Sequence, residues 1–328
     1  MKLIIQIPCL NEAESLPATL ASLPKQVTYF DTVEWLVIDD GSTDNTSEVA
    51  HQSGVDHVLR LPHNQGLAKA FMAGLEESLR QGADVIVNTD ADNQYDASCI
   101  PDLVAPIMSG EAQIVIGARP IEEIAHFSPL KRRLQRLGSF AVRLASGTSI
   151  PDAASGFRAF HRDAAMQLYV FNPFTYTLET IIQAGRKYIP ITSVPVRVNG
   201  PTRPSRLFRS TPVYIWQSIK TTLRIATLYR PLRTLSWVAL FMALPGVIAI
   251  LRFLFLYVSG DGRGHIQSLA IAGTLLSIAA IIAMGGLIAD LVAANRRLLE
   301  DIRSRLLRGE IERASSVKRD AQVRSPST

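Results

Sequence analysis

The sequence predicts an α/β protein whose first part is a doubly wound, largely parallel sheet and whose last part is two membrane-spanning helices. Three observations predict it. Short apolar runs alternate with helical patterns through the first half, polar clusters sit at the ends of those runs, and two long apolar stretches follow. In open sheets of this kind ligands bind beyond the C-terminal strand ends. The clusters NE, DDGSTD, HNQG and DADNQ all fall there, which points to a single site.

Each element has a local reason. Leu3–Ile7 is apolar and ends at Pro8, giving a first strand, and Glu14–Leu23 follows with a helical period. Trp35–Ile38 is a second strand closed by DDGSTDNT, with a helix starting near Thr46. Val55–Leu61 reads as a third strand, followed by a helix bracketed by Gly66 and Gly82. Val85–Asn88 and Ile114–Gly117 add two more strands. MKLIIQIPCLNE lacks a small-residue cleavage site and reads as a strand, not a signal peptide.

The 328 residues carry a formal net charge of +5, and 47% of them are hydrophobic, with the apolar excess concentrated after residue 234. Cys9 and Cys99 form no spaced pair, so neither a disulfide framework nor a zinc site is suggested. Residues 126–147 place Lys131, Arg132, Arg133, Arg136 and Arg143 among apolar side chains. That pattern suits a membrane surface or the solvated face of an ordinary helix. Residues 200–234 hold seven Lys or Arg and no Asp or Glu, which suits anionic headgroups.

Leu235–Val258 has 24 residues and one charge, Arg252; Leu269–Ala289 has 21 and none. Both exceed the ~20 residues needed to cross a bilayer. The other reading is a buried hairpin in a soluble core. Arg224, Arg230 and Arg233 precede the first stretch, and Arg296, Arg297, Arg303, Arg305 and Arg308 follow the second, whereas the linker offers only Arg263. This bias puts both termini and the N-terminal domain on the cytoplasmic side. Arg252 either snorkels outward or meets Asp290 or a lipid phosphate. The expected organisation is a catalytic domain over 1–210, basic juxtamembrane helices over 211–234, a hairpin over 235–294 and a basic cytoplasmic tail over 295–328 with a disordered end.

Asp90 and Asp92 stand one residue apart at a strand end, where two carboxylates do not both ionise without a cation. Hard oxygen ligands select Mg²⁺ or Mn²⁺; the alternative is a solvated acidic turn. Asp39 and Asp40 follow a buried strand, a place where an acid can hold ribose or base, although Ser42, Thr43 and Asp44 also make a cap and turn. In HNQGLAKA a helix N-terminus after Gly66 favours an anion, with Lys69 adding charge. Neither a P-loop nor a dinucleotide fingerprint occurs, and no nucleic-acid partner is expected.

Taken in order, IPCLNEAESL, VIDDGSTDNT, NQGLAKAFMAGL, DADNQYDASCIP, IVIGAR and DAASGFRAF resemble the inverting family 2 glycosyltransferases with the GT-A fold. The resemblance spans roughly residues 1–210 and is nearest to the membrane-anchored polyprenyl-phosphate hexose synthases, the dolichol-phosphate mannose synthase type. It implies that Pro8, Leu10 and Glu12 line base and ribose and that Asp39 binds the nucleoside. Asp90-Ala91-Asp92 is the D-x-D, with Asp92 and Gln94 as metal ligands and Asp90 beside them on nucleotide or sugar hydroxyls. Arg119 approaches a phosphate of donor or acceptor, and Arg203 or Arg206 in GPTRPSRL occupies the loop over the diphosphate. Asp152 positions the acceptor or is a turn aspartate, Arg158 binds the acceptor phosphate, and Glu179 is an acceptor-side group or a surface charge.

The implied reaction moves a hexose from a UDP- or GDP-sugar to a polyprenyl monophosphate, undecaprenyl or dolichyl, with inversion and a divalent metal. The resemblance leaves a homo-oligomer open. The competing readings are a family 2 transferase with another lipid or cell-envelope glycan acceptor, and a non-catalytic membrane scaffold. No Q-x-x-R-W stretch occurs, which argues against a polymer-extruding synthase.

Overall fold

The computed structural model describes residues 1–120, 138–140, 142–143, 145–170, 176–200, 231–259 and 266–324, with side chains in the last stretch from 267 to 313. Arg203, Arg206, most of the 126–147 segment and the 211–230 segment lie outside the described residues.

The elements run β1 (Lys2–Cys9), α1 (Leu16–Ser22), β2 (Thr32–Asp39), α2 (Thr46–Gln52), β3 (His57–Arg60), α3 (Leu67–Arg80) and β4 (Val85–Asn88). They continue with α4 (Ile100–Met108), β5 (Ile114–Ala118), β6 (Arg158–His161), α5 (Arg162–Gln167), α6 (Thr177–Arg186) and β7 (Ile191–Pro195), and then α7 (Pro231–Val258) and α8 (Ile266–Arg324). The seven strands form one sheet in the order β3-β2-β1-β4-β6-β5-β7. All pairings are parallel except those of β6, which runs against both β4 and β5. The α/β fold expected from the sequence is therefore present, with one reversed strand inside it.

Central β1 explains why its sequence is nearly unbroken in apolar residues. Helices cover both faces of a parallel sheet, so alternate side chains are equally buried; Leu3, Ile4, Ile5 and Ile7 are all fully buried. Gln6 is the exception, and it donates to Asn88 Oδ1 on β4 at 2.8 Å. Strand order reverses between β1 and β4, where parallel sheets open a crevice at their C-terminal ends. Because β6 is antiparallel, its N-terminal end at Arg158 pairs with Asn88 and Ile116 on that same rim. The reversal thus delivers residues 152–157 to the crevice.

The chain divides into two compact units, Met1–Ser218 with Ile302–Thr328, and Ile219–Asp301. In the first, the end of α8 lies on the domain surface: Leu307 and Ile311 are buried, Arg303 pairs with Glu76 of α3, and Arg308 meets Asp163 at 3.2 Å. In the second, α7 and the start of α8 are long and apolar enough to cross a membrane, and only 11% of each apolar window is buried. A soluble core hairpin would be mostly buried, so that reading fails. The two helices pack antiparallel: a Cβ on Gly246 would lie 3.2 Å from Ala272 O, and one on Gly286 would lie 3.1 Å from Leu235 Cβ. This register separates Arg252 from Asp290 by about 30 Å along the hairpin. The sequence alternative that pairs these two charges is thereby ruled out.

Candidate active site

The β1 and β2 ends are tied to each other before they offer anything to a ligand. Pro8 is buried within β1 and Leu10 follows half-buried. Asn11 takes a left-handed φ of 55°. Its amide donates to Ser42 Oγ at 2.9 Å, and its Oδ1 accepts from the Thr43 amide at 2.8 Å. Glu12 is buried, its carboxylate accepting from Ser15 Oγ at 2.5 Å and its amide donating to Thr46 Oγ1 at 2.9 Å. Asp39 is fully buried; it accepts from the Ser42 amide at 2.7 Å and from Ser47 Oγ, and Arg60 lies 3.7 Å away.

Asp40 accepts from the amides of Gln65 and Gly66 at 2.8 and 2.9 Å, fixing the turn before α3. Gly41 has φ of +70° and a Cβ there would come within 2.5 Å of the His63 carbonyl carbon, so the D-D-G run is needed for this close approach. Lys69, in the first turn of α3, is exposed. Asp44 bridges the Ala13 amide at 3.1 Å and the Thr46 amide at 3.0 Å. The turn-forming role considered for Asp44 is the one seen.

The β4 end is built differently. Among the described residues nothing donates a hydrogen bond to Asp90. Burial pushes its carboxyl up to about 7, and the Asp92 charge pushes the same way, against Arg119 and Arg158. Both Asp90 oxygens face Gly156, where a Cβ would sit 3.0 and 3.1 Å from them; any larger residue crowds the carboxylate. Asp92 Oδ1 accepts from the Gln94 amide at 3.1 Å, which folds residues 92–94 into a tight turn. Ala91 is buried and its carbonyl accepts from Thr19 Oγ1 at 2.8 Å.

Arg119 and Asp152 meet as a two-pronged pair. Nε lies 2.7 Å from Oδ2 and the terminal nitrogen donates to Oδ1 at 3.1 Å. The side chain of Asp152 is only 1% exposed and that of Arg119 10%. Burial alone would lower the guanidinium; Tyr95 and Asp152 outweigh it and hold Arg119 above its ordinary range. This arginine stays charged at any working pH.

Arg158 occupies a different place from the one expected for an acceptor-phosphate ligand. It is fully buried and donates to Ser155 O, Thr177 O, Thr180 Oγ1 and Ala153 O, at 2.8, 2.8, 2.5 and 3.0 Å. Burial lowers it to about 10. Its charge faces Asp90 while its hydrogen-bonding capacity is spent on the 153–155 loop and α6. Glu179 is also buried, so the surface-charge alternative for it fails.

Several residues unremarked in the sequence complete this rim. Asn88 donates to Gly156 O and Tyr176 Oη, both at 2.9 Å, and Tyr176 stacks on Phe71 of α3 with centroids 3.9 Å apart. The Gly156 amide donates to Tyr95 Oη at 3.0 Å. These aromatic residues belong to segments far apart in sequence, so their stacking is not visible in any one motif. Cys9, beside the site, is buried and its thiol is pushed well up, so it is not a nucleophile.

The family model for glycosyl transferase family 2 matches residues 4–169. The chain belongs to that family. This glycosyltransferase is 32% identical over 169 residues to an undecaprenyl-phosphate mannosyltransferase of Micrococcus luteus, covering 50% of this chain and 68% of that protein. It is 28% identical over 213 residues to a UDP-N-acetylglucosamine–dolichyl-phosphate N-acetylglucosaminyltransferase of Methanococcus voltae, covering 58% and 83%. Its fold resembles that of glucosyl-3-phosphoglycerate synthase of Mycobacterium tuberculosis, crystallised with Mn²⁺, UDP-glucose and phosphoglyceric acid. The TM-score is 0.53 at 22% identity, covering 69% of this chain and 79% of that one. The transferase therefore has the GT-A fold.

Proposed function

We propose that the transferase moves a hexose from a UDP- or GDP-sugar to a polyprenyl monophosphate, with inversion and with Mg²⁺ or Mn²⁺. The observation that carries the acceptor class is the Arg119–Asp152 pair. An acceptor hydroxyl needs a carboxylate to take its proton, whereas Asp152 has both oxygens bound by an arginine. A phosphate acceptor arrives ionised and needs a cation beside it instead, which Arg119 supplies. The two relatives, whose names specify undecaprenyl and dolichyl phosphate, support the same class.

In this reading an oxygen of the lipid phosphate forms the new bond to the anomeric carbon from the face opposite the diphosphate. The bond to the nucleoside diphosphate breaks, and both its electrons leave with that group. Asp92 and Gln94 hold the cation with Asp90 beside them; the raised Asp90 carboxyl and its donor-poor setting fit a group completed by positive charge. When bound, the cation neutralises charge on the departing diphosphate. Asp90 orients nucleotide or sugar hydroxyls, with Ala91 against the nucleotide. Pro8, Leu10, Glu12 and Asp39 surround base and ribose. Lys69, Arg203 and Arg206 add positive charge for phosphates, and Arg158 stiffens the 153–155 loop beneath Asp90.

The two apolar helices anchor the enzyme in the cytoplasmic membrane. The arginine bias supports a topology with both termini and the catalytic domain on the cytoplasmic face. The deciding experiment incubates purified protein, undecaprenyl phosphate and Mn²⁺ with labelled UDP- and GDP-hexoses. Label should enter a chloroform-soluble product that mild acid releases. Label that enters only acid-stable lipid or water-soluble product, in every arm, overturns the phosphate acceptor.

A further inference from the structure

The loop that carries Asp92 and Gln94 is held from one side by a segment with no assigned part in the reaction. Tyr95 forms an antiparallel bridge with Val198, and the Asp96 amide donates to Arg197 O at 3.3 Å. Asn199 contributes twice: its amide donates to Gln94 O at 2.8 Å and its Nδ2 to Asn93 O at 2.9 Å. From the other side, Ser22 Oγ donates to Asn93 Oδ1 at 3.2 Å. Asn93 itself sits at φ of 52°, a left-handed conformation that Asn tolerates better than most residues yet still at a cost. A turn held in such a conformation needs external bonds to persist.

We infer that Asn199 is a positioning residue for the cation: its side-chain amide sets the turn at Asn93 and so the spacing of Asp92 and Gln94. This rests on the metal role proposed for those two residues. Arg197 is a weaker candidate, because its pair with Asp96 at 2.8 Å is 70% exposed on the arginine side and such pairs contribute little. The Asn199 bonds differ in kind. They reach two successive main-chain carbonyls, those of Asn93 and Gln94, so they act on where the ligand-bearing backbone runs. The chain also passes directly from Asn199 through Gly200 into the basic stretch containing Arg203 and Arg206. One residue therefore stands between the cation turn and the segment proposed to meet the diphosphate.

The test measures Mn²⁺ binding by the loss of free-ion electron paramagnetic resonance signal, with UDP and GDP in separate arms. Wild type is compared with Asn199→Ala, Asn199→Asp and Asp92→Ala. Removing a partner that orients a metal-binding segment weakens binding by about tenfold or more. Both Asn199 variants should show that loss while their metal-free melting temperatures match wild type, and Asp92→Ala should bind no Mn²⁺ at the site. Binding curves for the Asn199 variants that superimpose on wild type overturn the inference and leave the metal reading standing. Weakened binding that appears only with a lowered metal-free melting temperature overturns it as well, since that marks a general structural role. Wild type and Asp92→Ala with the same curve overturn both.

Discussion

Two groups of aspartates line the same sheet rim and meet opposite fates. Asp39, Asp40 and Asp44, at and beyond the end of β2, each accept hydrogen bonds from nearby amides or hydroxyls. Asp90, after β4, has no such donor among the described residues, and its neighbour Asp92 takes one amide within its own turn. Amides and hydroxyls hold the first group, with Arg60 also 3.7 Å from Asp39. Asp90 has the charges of Arg119 and Arg158 set against its own burial and the Asp92 charge. The two strand ends thus differ in how far the backbone turns its amides toward them: Asp40 takes two, Asp92 one within its own turn, and Asp90 none among the described residues.

Substitutions should split along that line. The largest effect is expected from Asp92→Ala, which should cut transfer by about 10²–10³-fold, as for loss of a key charge-stabilising group. It should also abolish the Mn²⁺-dependent rise in melting temperature. An equal Mn²⁺-dependent rise in the variant would erase the distinction between the two groups.

Arg119→Ala should lose transfer by about 10²-fold, and Asp152→Asn by less. If Asp152 works by holding Arg119, the double variant should be no slower than Arg119→Ala alone. Multiplicative losses would give Asp152 a separate role and reopen the hydroxyl acceptor.

Asp40→Ala strands the Gln65 amide and leaves the Gly66 amide to Asn64 Oδ1, which already accepts from it at 3.0 Å. It should cost about 1–3 kcal/mol of stability, read as a lowered denaturation midpoint. Its Mn²⁺ dependence should stay that of wild type.

The smallest effect concerns pH. Asp90 titrates near 7 in the fold against an ordinary value of 3.8. Between those values the folded state keeps a proton that the unfolded chain has released. The contribution to stability is therefore complete below about pH 4 and is lost as pH rises through 7. Metal-free Asp90→Asn should show a flatter dependence of melting temperature on pH across that window, and Mn²⁺ should narrow the difference in wild type. A parallel pH profile for variant and wild type would place Asp90 with the compensated group.

Much of the first half was legible because its elements are local. A buried parallel strand announces itself as an apolar run, as KLIIQIPC does, and Gly66 and Gly82 bracket α3 at positive φ as their positions suggested. Strand lengths were less legible: β2 begins at Thr32, earlier than the apolar run at Trp35, because its exposed start needs no apolar face. The reversed strand β6 was not read at all. Four residues, RAFH, carry no direction, and only pairing with β4 and β5 assigns one. For the same reason Arg158 looked like a ligand, since sequence shows a charge near a motif and not the four carbonyl and hydroxyl oxygens that surround it. The bonds of Asn88 to Gly156 and Tyr176 and those of Asn199 join residues 68 to 106 positions apart, beyond any local signal.

The discontinuous make-up of the N-terminal unit has a consequence for biosynthesis. Leu307 and Ile311, late in α8, fill part of that unit's surface although they follow both apolar stretches in the chain. A ribosome therefore releases the finishing piece of the catalytic fold only after the hairpin has emerged, and premature termination between the two helices leaves an enzyme with an uncovered flank at Glu76 and Tyr169. Completion of the catalytic fold is in this way scheduled behind synthesis of both apolar stretches.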